Sequence, residues 1–200
     1  MQTNLSFKKQ NMSLKNLSAI SKIPNRYKKI LLNKRVRNIF KKFENSFNPN
    51  KNFIVAVSGG ADSLALAFLT KLYATKNNMR PKYFIIDHKL RNESKDEALK
   101  VKKILRLHKI NSDILSWNGK KPSTNLQSQA RQKRYHLLFS MCNKFKINNL
   151  VLGHHIDDLF ENFFLRLIRG SGLKGLVSLG QKTKIKNINL LRPLINFEKK

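Results

Sequence analysis

Four short stretches bring together residues suited to chemistry. In the first, Ser58-Gly59-Gly60-Ala61-Asp62-Ser63 links one apolar run to another through two glycines. Without a Cβ in the way, backbone amides can approach a ligand, and a helix behind them adds its N-terminal amides and dipole. The loop therefore reads as an anion cradle, with the Ser58 and Ser63 hydroxyls as extra donors. Asp62 is out of place in such a site unless a cation accompanies the anion, which points to a phosphate carrying Mg2+. No Gly-Lys-Ser/Thr follows, which excludes a Walker A loop, and the G-x-G-x-x-G dinucleotide fingerprint is absent.

The other three stretches add charge and acid–base groups. Asp87 and His88 close an apolar run, with Arg91 just beyond. Arg131, Arg134 and Tyr135 fall on adjacent turns of one helical segment. His154, His155, Asp157 and Asp158 stand at a strand-to-helix junction, with Glu161 one turn on and Arg166 and Arg169 further along. Plainer readings exist for each. The His-His-x-Asp-Asp run also reads as a zinc or capping cluster with Asp157 as an N-cap. The arginines also read as a solvated helix face, and His88 as a packed core histidine. His108 and His136 lie on helices and have no catalytic task in this reading.

The elements that must position these groups alternate along the chain. Strand-length apolar runs occur at 53–57, 83–87, 112–117, 149–153 and 188–195, the last closing at Pro193. Helical spacing covers 63–76, 93–109, 125–145 and 157–169, and the last carries a core stripe of Phe160, Phe163, Phe164, Leu167 and Ile168. Gly170-Ser171-Gly172 stops it. This order predicts an α/β fold, a doubly wound and mainly parallel sheet with helices on both faces. In such sheets ligands sit beyond the carboxyl ends of the strands, and every polar cluster above follows a strand.

Composition narrows the partners. Lys+Arg 41 against Asp+Glu 11 gives a formal charge of +30. That favours polyanions such as RNA, DNA or an anionic membrane surface, although a chain rich in Lys, Asn and Ile throughout also fits composition bias. Residues 1–50 hold 12 of the basic residues and one acid, Glu44. They read as a frayed extension followed by an amphipathic helix over 26–43, with Ile30, Leu31, Val36, Ile39, Phe40 and Phe43 at helical spacing. A transit peptide and an RNA-contacting helix are the competing readings of this arm. Residues 51–200 then read as the domain that carries the four polar stretches, the catalytic domain if they form one site. The single cysteine, Cys142, excludes an internal disulfide framework and a paired-cysteine metal or redox site, and reads as a packed thiol. No apolar stretch has the length of a membrane span, so a cytoplasmic protein is expected, or an organellar one if the arm is a transit peptide.

The S-G-G-x-D-S loop after a hydrophobic strand resembles the PP-loop of the N-type ATP pyrophosphatases, which implies the adenine nucleotide alpha hydrolase-like fold. "IIDHKLRNESKDEA" (85–98), "NLQSQARQKRYHLL" (125–138), "LVLGHHIDDLFENFFLRLIRGSGLKGL" (150–176) and "RPLI" (192–195) follow in the order and spacing that resemble the tRNA(Ile)-lysidine synthetase family. That resemblance implies ATP and Mg2+, free L-lysine, and an isoleucine tRNA with a CAU anticodon. Its wobble cytidine would be adenylated at the C2 carbonyl oxygen and then attacked by lysine. It further implies that Ser58, Gly59, Gly60, Ala61 and Ser63 hold phosphates, with Asp87 and His88 alongside, and that Asp62 serves Mg2+. Arg131 would contact the nucleotide or the adenylated intermediate, and His154 and His155 would assist proton transfer. Asp157 and Asp158 would bind metal or orient the lysine ammonium, with catalytic Glu161 on the same helical face. A homodimer is left open.

The chain departs from the family pattern in several places. Lys89 stands where the family commonly has Gly, and Leu159 and Asn162 stand where it commonly has Gln and Thr. The chain ends at Lys200, whereas the family generally continues into helical tRNA-binding regions, which are read as absent here; either the sequence is truncated or this member depends on its basic surface for tRNA. The rival readings are another PP-loop tRNA-modifying enzyme such as a sulfurtransferase, which one cysteine argues against, and a non-catalytic tRNA-binding remnant.

Overall fold

The computed structural model describes residues 25–87, 89, 93–117, 126–156 and 180–197. The expectations for residues 1–24, His88, Arg91 and the helix 157–169 with its acids, arginines and phenylalanine stripe lie outside them.

The first helical segment is two helices, α1 (Asn25–Leu32) and α2 (Lys34–Ser46), not one. Asn33 makes the break. Its Oδ1 accepts from the N–H groups of Arg35 at 2.9 Å and Val36 at 3.3 Å, so it caps α2 instead of continuing α1. Phe40 and Phe43 face inward as their spacing predicts, while Ile39 is solvent-exposed. Phe47, just past α2, is the hub of the contact. Its ring lies 4.9 Å from those of Phe43 and Tyr73 and 5.1 Å from that of Phe53. Glu44 pairs with Lys76 at 2.7 Å, a half-buried link worth about 0.2–1 kcal/mol.

The remaining elements alternate as expected: β1 (Phe53–Val57), α3 (Ala61–Lys76), β2 (Lys82–Asp87), α4 (Ser94–Leu107), β3 (Ser112–Ser116), α5 (Leu126–Phe145) and β4 (Asn149–Val151). β5 (Lys182–Ile185) and β6 (Ile188–Leu191) complete the sheet, whose order is β3-β2-β1-β4-β6-β5. All pairings are parallel except β5 with β6. Strand alternation divides the core between two faces. Phe53, Val55 and Val57 pack with Tyr83, Ile85 and residues of α2, α3 and α4. Ile54 and Ala56 pack on the other face with Phe84, Ile86, Leu150 and, from α5, Leu138 and Cys142. Burial pushes the Cys142 thiol up to about 11, so it is a packing group.

Two expectations need correcting. β5 was not anticipated, because Lys182–Ile185 is a mostly exposed strand on the sheet's edge with no apolar run. It pairs Ile185 with Ile188 through a tight turn in which Lys186 has φ 53. The last strand also stops at Leu191 instead of running through Ile195. Pro193 has no N–H for a ladder, and the chain turns there, with Ile195 N–H bonding Arg192 O at 3.2 Å. Leu194 and Ile195 are still buried. Among the described residues no helix is long and apolar enough to cross a membrane.

Helices α3, α4 and α5 end alike. Asn78, Lys109 and Lys146 take left-handed φ of 53, 54 and 52. The following Met79, Ile110 and Ile147 each return an N–H to the carbonyl of Ala74, Leu105 and Cys142.

Candidate functional site

In the sheet order, β2 lies on one side of β1 and β4 on the other, so the chain's direction of travel reverses at the β1/β4 boundary. This is the switch point, where a crevice opens beyond the strand ends. The Ser58–Ser63 loop leaves β1 there. Gly59 has φ 90, and a Cβ on it would come within 2.8 Å of Val101 Cγ2 on α4. Gly60 caps α3 without a side chain, so the first amides of that helix meet no cap from it. From β4, Gly153 backs onto the loop so closely that a Cβ there would stand 3.2 Å from Ser63 Cα. A side chain there would need the loop to give way by a few tenths of an ångström.

Ser63 is tied into the loop itself. Its hydroxyl is buried, accepts from the N–H groups of Ser58 at 3.2 Å and Gly59 at 3.1 Å, and donates to Gly60 O at 2.8 Å. These bonds brace the loop, and Ser63 also lines the cleft beside it.

Asp62, in the first turn of α3, is partly exposed, and its Oδ1 lies 3.2 Å from Nε2 of buried His155. The other nitrogen of His155, Nδ1, lies 3.0 Å from the carbonyl of Phe197. A carbonyl accepts only, so Nδ1 carries hydrogen and the ring is fixed in orientation. Thus the end of β4 and the segment after β6 together aim His155 at the loop carboxylate. His154 lines a cleft of about 70 Å³ with Ser58, Ser63, Gly153 and Arg134.

Asp87 ends β2 and is buried, with its carboxylate turned into the fold. Oδ1 accepts from Lys89 N–H at 2.9 Å, and Oδ2 from Ser116 Oγ at 3.3 Å. Burial raises its pKa, but the Lys89 N–H, the Ser94 and Ser116 hydroxyls and the Lys89 charge outweigh that and hold it below the usual carboxylate value. Asp87 fastens the β2 loop to β3 and α4. Lys89 has φ 48, the left-handed backbone that glycine takes most readily.

Arg131 and Arg134 of α5 flank Tyr135, with guanidinium carbons 5.8 and 5.7 Å from its ring centre. Arg192, just after β6, joins them and was missed in the sequence as a site residue. Burial lowers the pKa values of Arg134 and Arg192; Tyr135 opposes that and the Arg131 charge adds to it. Arg192 Nη1 donates to Gly180 O at 2.9 Å and Thr183 Oγ1 at 2.8 Å. The Nε atoms of Arg134 and Arg192 are buried with no hydrogen-bond partner among the described residues. Guanidiniums gathered this way favour an anion nearby. The signal for Arg192 was an arginine inside the apolar run "LLRPLI".

The site thus joins a glycine loop, a helix N-terminus with a carboxylate, a fixed histidine and an arginine-bearing helix. Asp157, Asp158, Glu161 and His88 fall outside the described residues, and among those described no group of three His, Cys, Asp or Glu gathers to hold a metal.

A tRNA(Ile)-lysidine synthase of Orientia tsutsugamushi is 44% identical over 154 residues, 77% of this chain and 35% of that one. Those of Rickettsia akari and Wolbachia pipientis wMel are each 41% identical, over 80% and 75% of this chain and 39% and 35% of theirs. The chain therefore spans little more than a third of these relatives. In three dimensions it is similar to the U34-tRNA thiolase NcsA from Methanococcus maripaludis, with a TM-score of 0.68 over 80% of this chain and 58% of that one. At 20% identity that likeness concerns the fold alone. The model of the PP-loop domain matches residues 29–200, from within the first helix through the sheet and its glycine loop, and the chain belongs to that family.

Proposed function

We propose that the chain carries tRNA(Ile)-lysidine synthetase chemistry. In this reading the C2 carbonyl oxygen of the wobble cytidine in an isoleucine tRNA with a CAU anticodon attacks the α-phosphorus of ATP, and the bond to pyrophosphate breaks. The amine of free L-lysine then bonds to C2, AMP leaves with the oxygen, and the amine gives up its protons. The observation that carries the reading is one cleft shared by the braced Ser58–Ser63 loop, His154 and Arg134 of the Arg131-Arg134-Tyr135 helix. The similarity to tRNA(Ile)-lysidine synthases supports the choice of substrate.

The residues divide the work. Gly59, Gly60 and the first amides of α3 suit the phosphates, with Ser58 at the rim and Ser63 holding the loop in shape. Asp62 suits Mg2+, because a carboxylate at an anion-binding helix terminus needs a cation between it and the phosphates; the ion would offset charge as pyrophosphate leaves. His155 aims Asp62, and His154 is near enough to the cleft to take a proton. Arg131 and Arg134 suit the nucleotide, with Arg192 packed beside them. Asp87 acts by fixing its loop, with His88 beside it for the nucleotide. Asp157, Asp158 and Glu161 are assigned to the lysine ammonium or the metal. Sulfur transfer is disfavoured because the sole cysteine is buried in the core, 1% exposed.

The test is pyrophosphate release from ATP with two tRNA transcripts that differ only at the wobble base. Release is expected with cytidine and not with uridine. Equal release with both would count against cytidine as the nucleophile.

A further inference from the structure

The opposite end of the sheet carries a second feature that the reaction does not use. The segments entering β1, β2 and β4, with Lys182 from β5, enclose a groove of about 970 Å³. A smaller depression of about 440 Å³ adjoins it, and the two share Lys146, Asn148 and Asn189. Lys51, Arg80, Lys82, Lys146 and Lys182 line the groove, Lys184 lines the depression, and no Asp or Glu is among the described lining residues of either.

The walls of the groove are fixed. Asn149 Nδ2 donates to Pro49 O at 2.8 Å, Asn189 Nδ2 to Asn149 Oδ1 at 3.0 Å, and Arg80 N–H to Asn52 Oδ1 at 3.0 Å. Lys82 Nζ sits 3.9 Å above the Phe145 ring, which holds that charge in place.

We propose that this groove binds the phosphate backbone of a structured RNA, as a surface separate from the catalytic cleft. Cations gathered without carboxylates repel one another until a polyanion neutralises them, and counterions released by the RNA supply the driving force. Asparagine amides, abundant along the groove, are among the side chains that contact phosphate and sugar. The lining favours RNA over other anionic partners. None of the large exposed apolar residues (Leu32, Ile39, Leu99, Ile104, Leu107, Ile156, Ile185) belongs to the groove. It therefore lacks the exposed apolar face that inserts into a lipid surface, and the ring in its described lining, Phe145, lies under the Lys82 ammonium rather than open to a protein partner. The five residues of β1 separate it from the glycine loop by about 17 Å, a distance one folded RNA spans.

The test measures binding of the full chain to a fluorescent isoleucine tRNA transcript across a salt series, without ATP. The variant Lys51→Glu/Arg80→Glu/Lys182→Glu is compared with Lys100→Glu/Lys102→Glu/Lys103→Glu, equal in charge and exposed on α4. The groove variant is expected to bind at least about 10-fold more weakly at physiological salt and to flatten the slope of log K against log salt by about 2 to 3. The α4 variant should change affinity by less than about 3-fold. Equal weakening by both would overturn the proposal, as would an unchanged slope, or a loss of binding to anionic-lipid vesicles with RNA binding intact. If the glutamates impair folding, the same three positions changed to Gln keep the comparison. Since the readout is binding, its failure is distinct from failure of the lysidine reading.

Discussion

The two ends of the sheet treat charge in opposite ways. At the carboxyl ends of the strands, the described acids have fixed neighbours: Asp62 Oδ1 lies 3.2 Å from His155 Nε2, and Asp87 is held by Lys89 and two serine hydroxyls. At the amino ends, the described lining of the groove is basic and amide-rich, with no acid. Chemistry at a chosen atom needs charges fixed to within a fraction of an ångström. Holding a polymer backbone needs only enough positive charge at the right spacing. One sheet thus presents an end suited to a chosen atom and an end suited to a polymer backbone, and substitutions should tell them apart.

The largest effect is expected where both ends depend on one core. Phe47→Ala should cost about 3–5 kcal/mol in urea denaturation, because the ring is buried against Phe43, Phe53 and Tyr73. Catalysis and groove binding should then fall together on warming. If one is lost well before the other, the two ends do not share this core.

Gly59→Ala should separate the ends. Its φ of 90 and the 2.8 Å approach to Val101 predict a cost of about 1–3 kcal/mol, concentrated in the loop. The KM for ATP should rise while RNA affinity at the groove is unchanged. Gly60→Ala is the control, because a Cβ there meets nothing nearer than Ser58 Oγ at 4.0 Å. Similar stability losses from both glycines would remove the argument from strain.

Asp87→Asn probes how tightly the carboxyl end of the sheet holds its charge. The folded-state pKa of Asp87 lies below the ordinary 3.8, so its contribution is present above that value and is lost as pH falls through the folded one. The variant should lose about 1–2 kcal/mol at neutral pH. Its deficit should shrink below about pH 4, as seen in thermal melts. A deficit that stays constant down to low pH would show that ionisation of Asp87 is not its source.

The smallest effects concern lysines in left-handed backbone. Lys109→Gly should stabilise by about 0.5 kcal/mol, as relief of strain outweighs the entropy of glycine. Lys89→Gly should gain less, because it also removes a charge that favours the Asp87 carboxylate. Equal gains in melting temperature would mean that the Lys89 charge contributes nothing there.

How much of this was legible in the sequence follows from the range of the forces involved. "FIVAV" and the "YFII" before Asp87 announced buried strands because a strand covered on both faces reads as a near-continuous apolar run. The glycine loop was legible because its backbone shape demands particular residues. The Lys182–Ile185 strand was not, since it is a mostly exposed edge strand and its hydrogen bonds, not its side chains, make it a strand. Nor was the break at Asn33, where one side chain's hydrogen bonds outweigh an unbroken helical spacing. The bonds of Ser63 within its loop, the inward turn of Asp87, the aim of His155 and the packing of Arg192 beside Tyr135 all depend on partners that only the fold brings near.

The central claim, that the braced loop and its carboxylate drive lysidine formation, is tested most directly by transfer of radiolabelled lysine to an isoleucine tRNA transcript with a CAU anticodon. ATP-dependent incorporation is expected for the protein, and a loss of at least about 100-fold for Asp62→Ala with an unchanged melting temperature. Incorporation that survives Asp62→Ala, or a protein that releases pyrophosphate with this tRNA yet transfers no lysine, would contradict it.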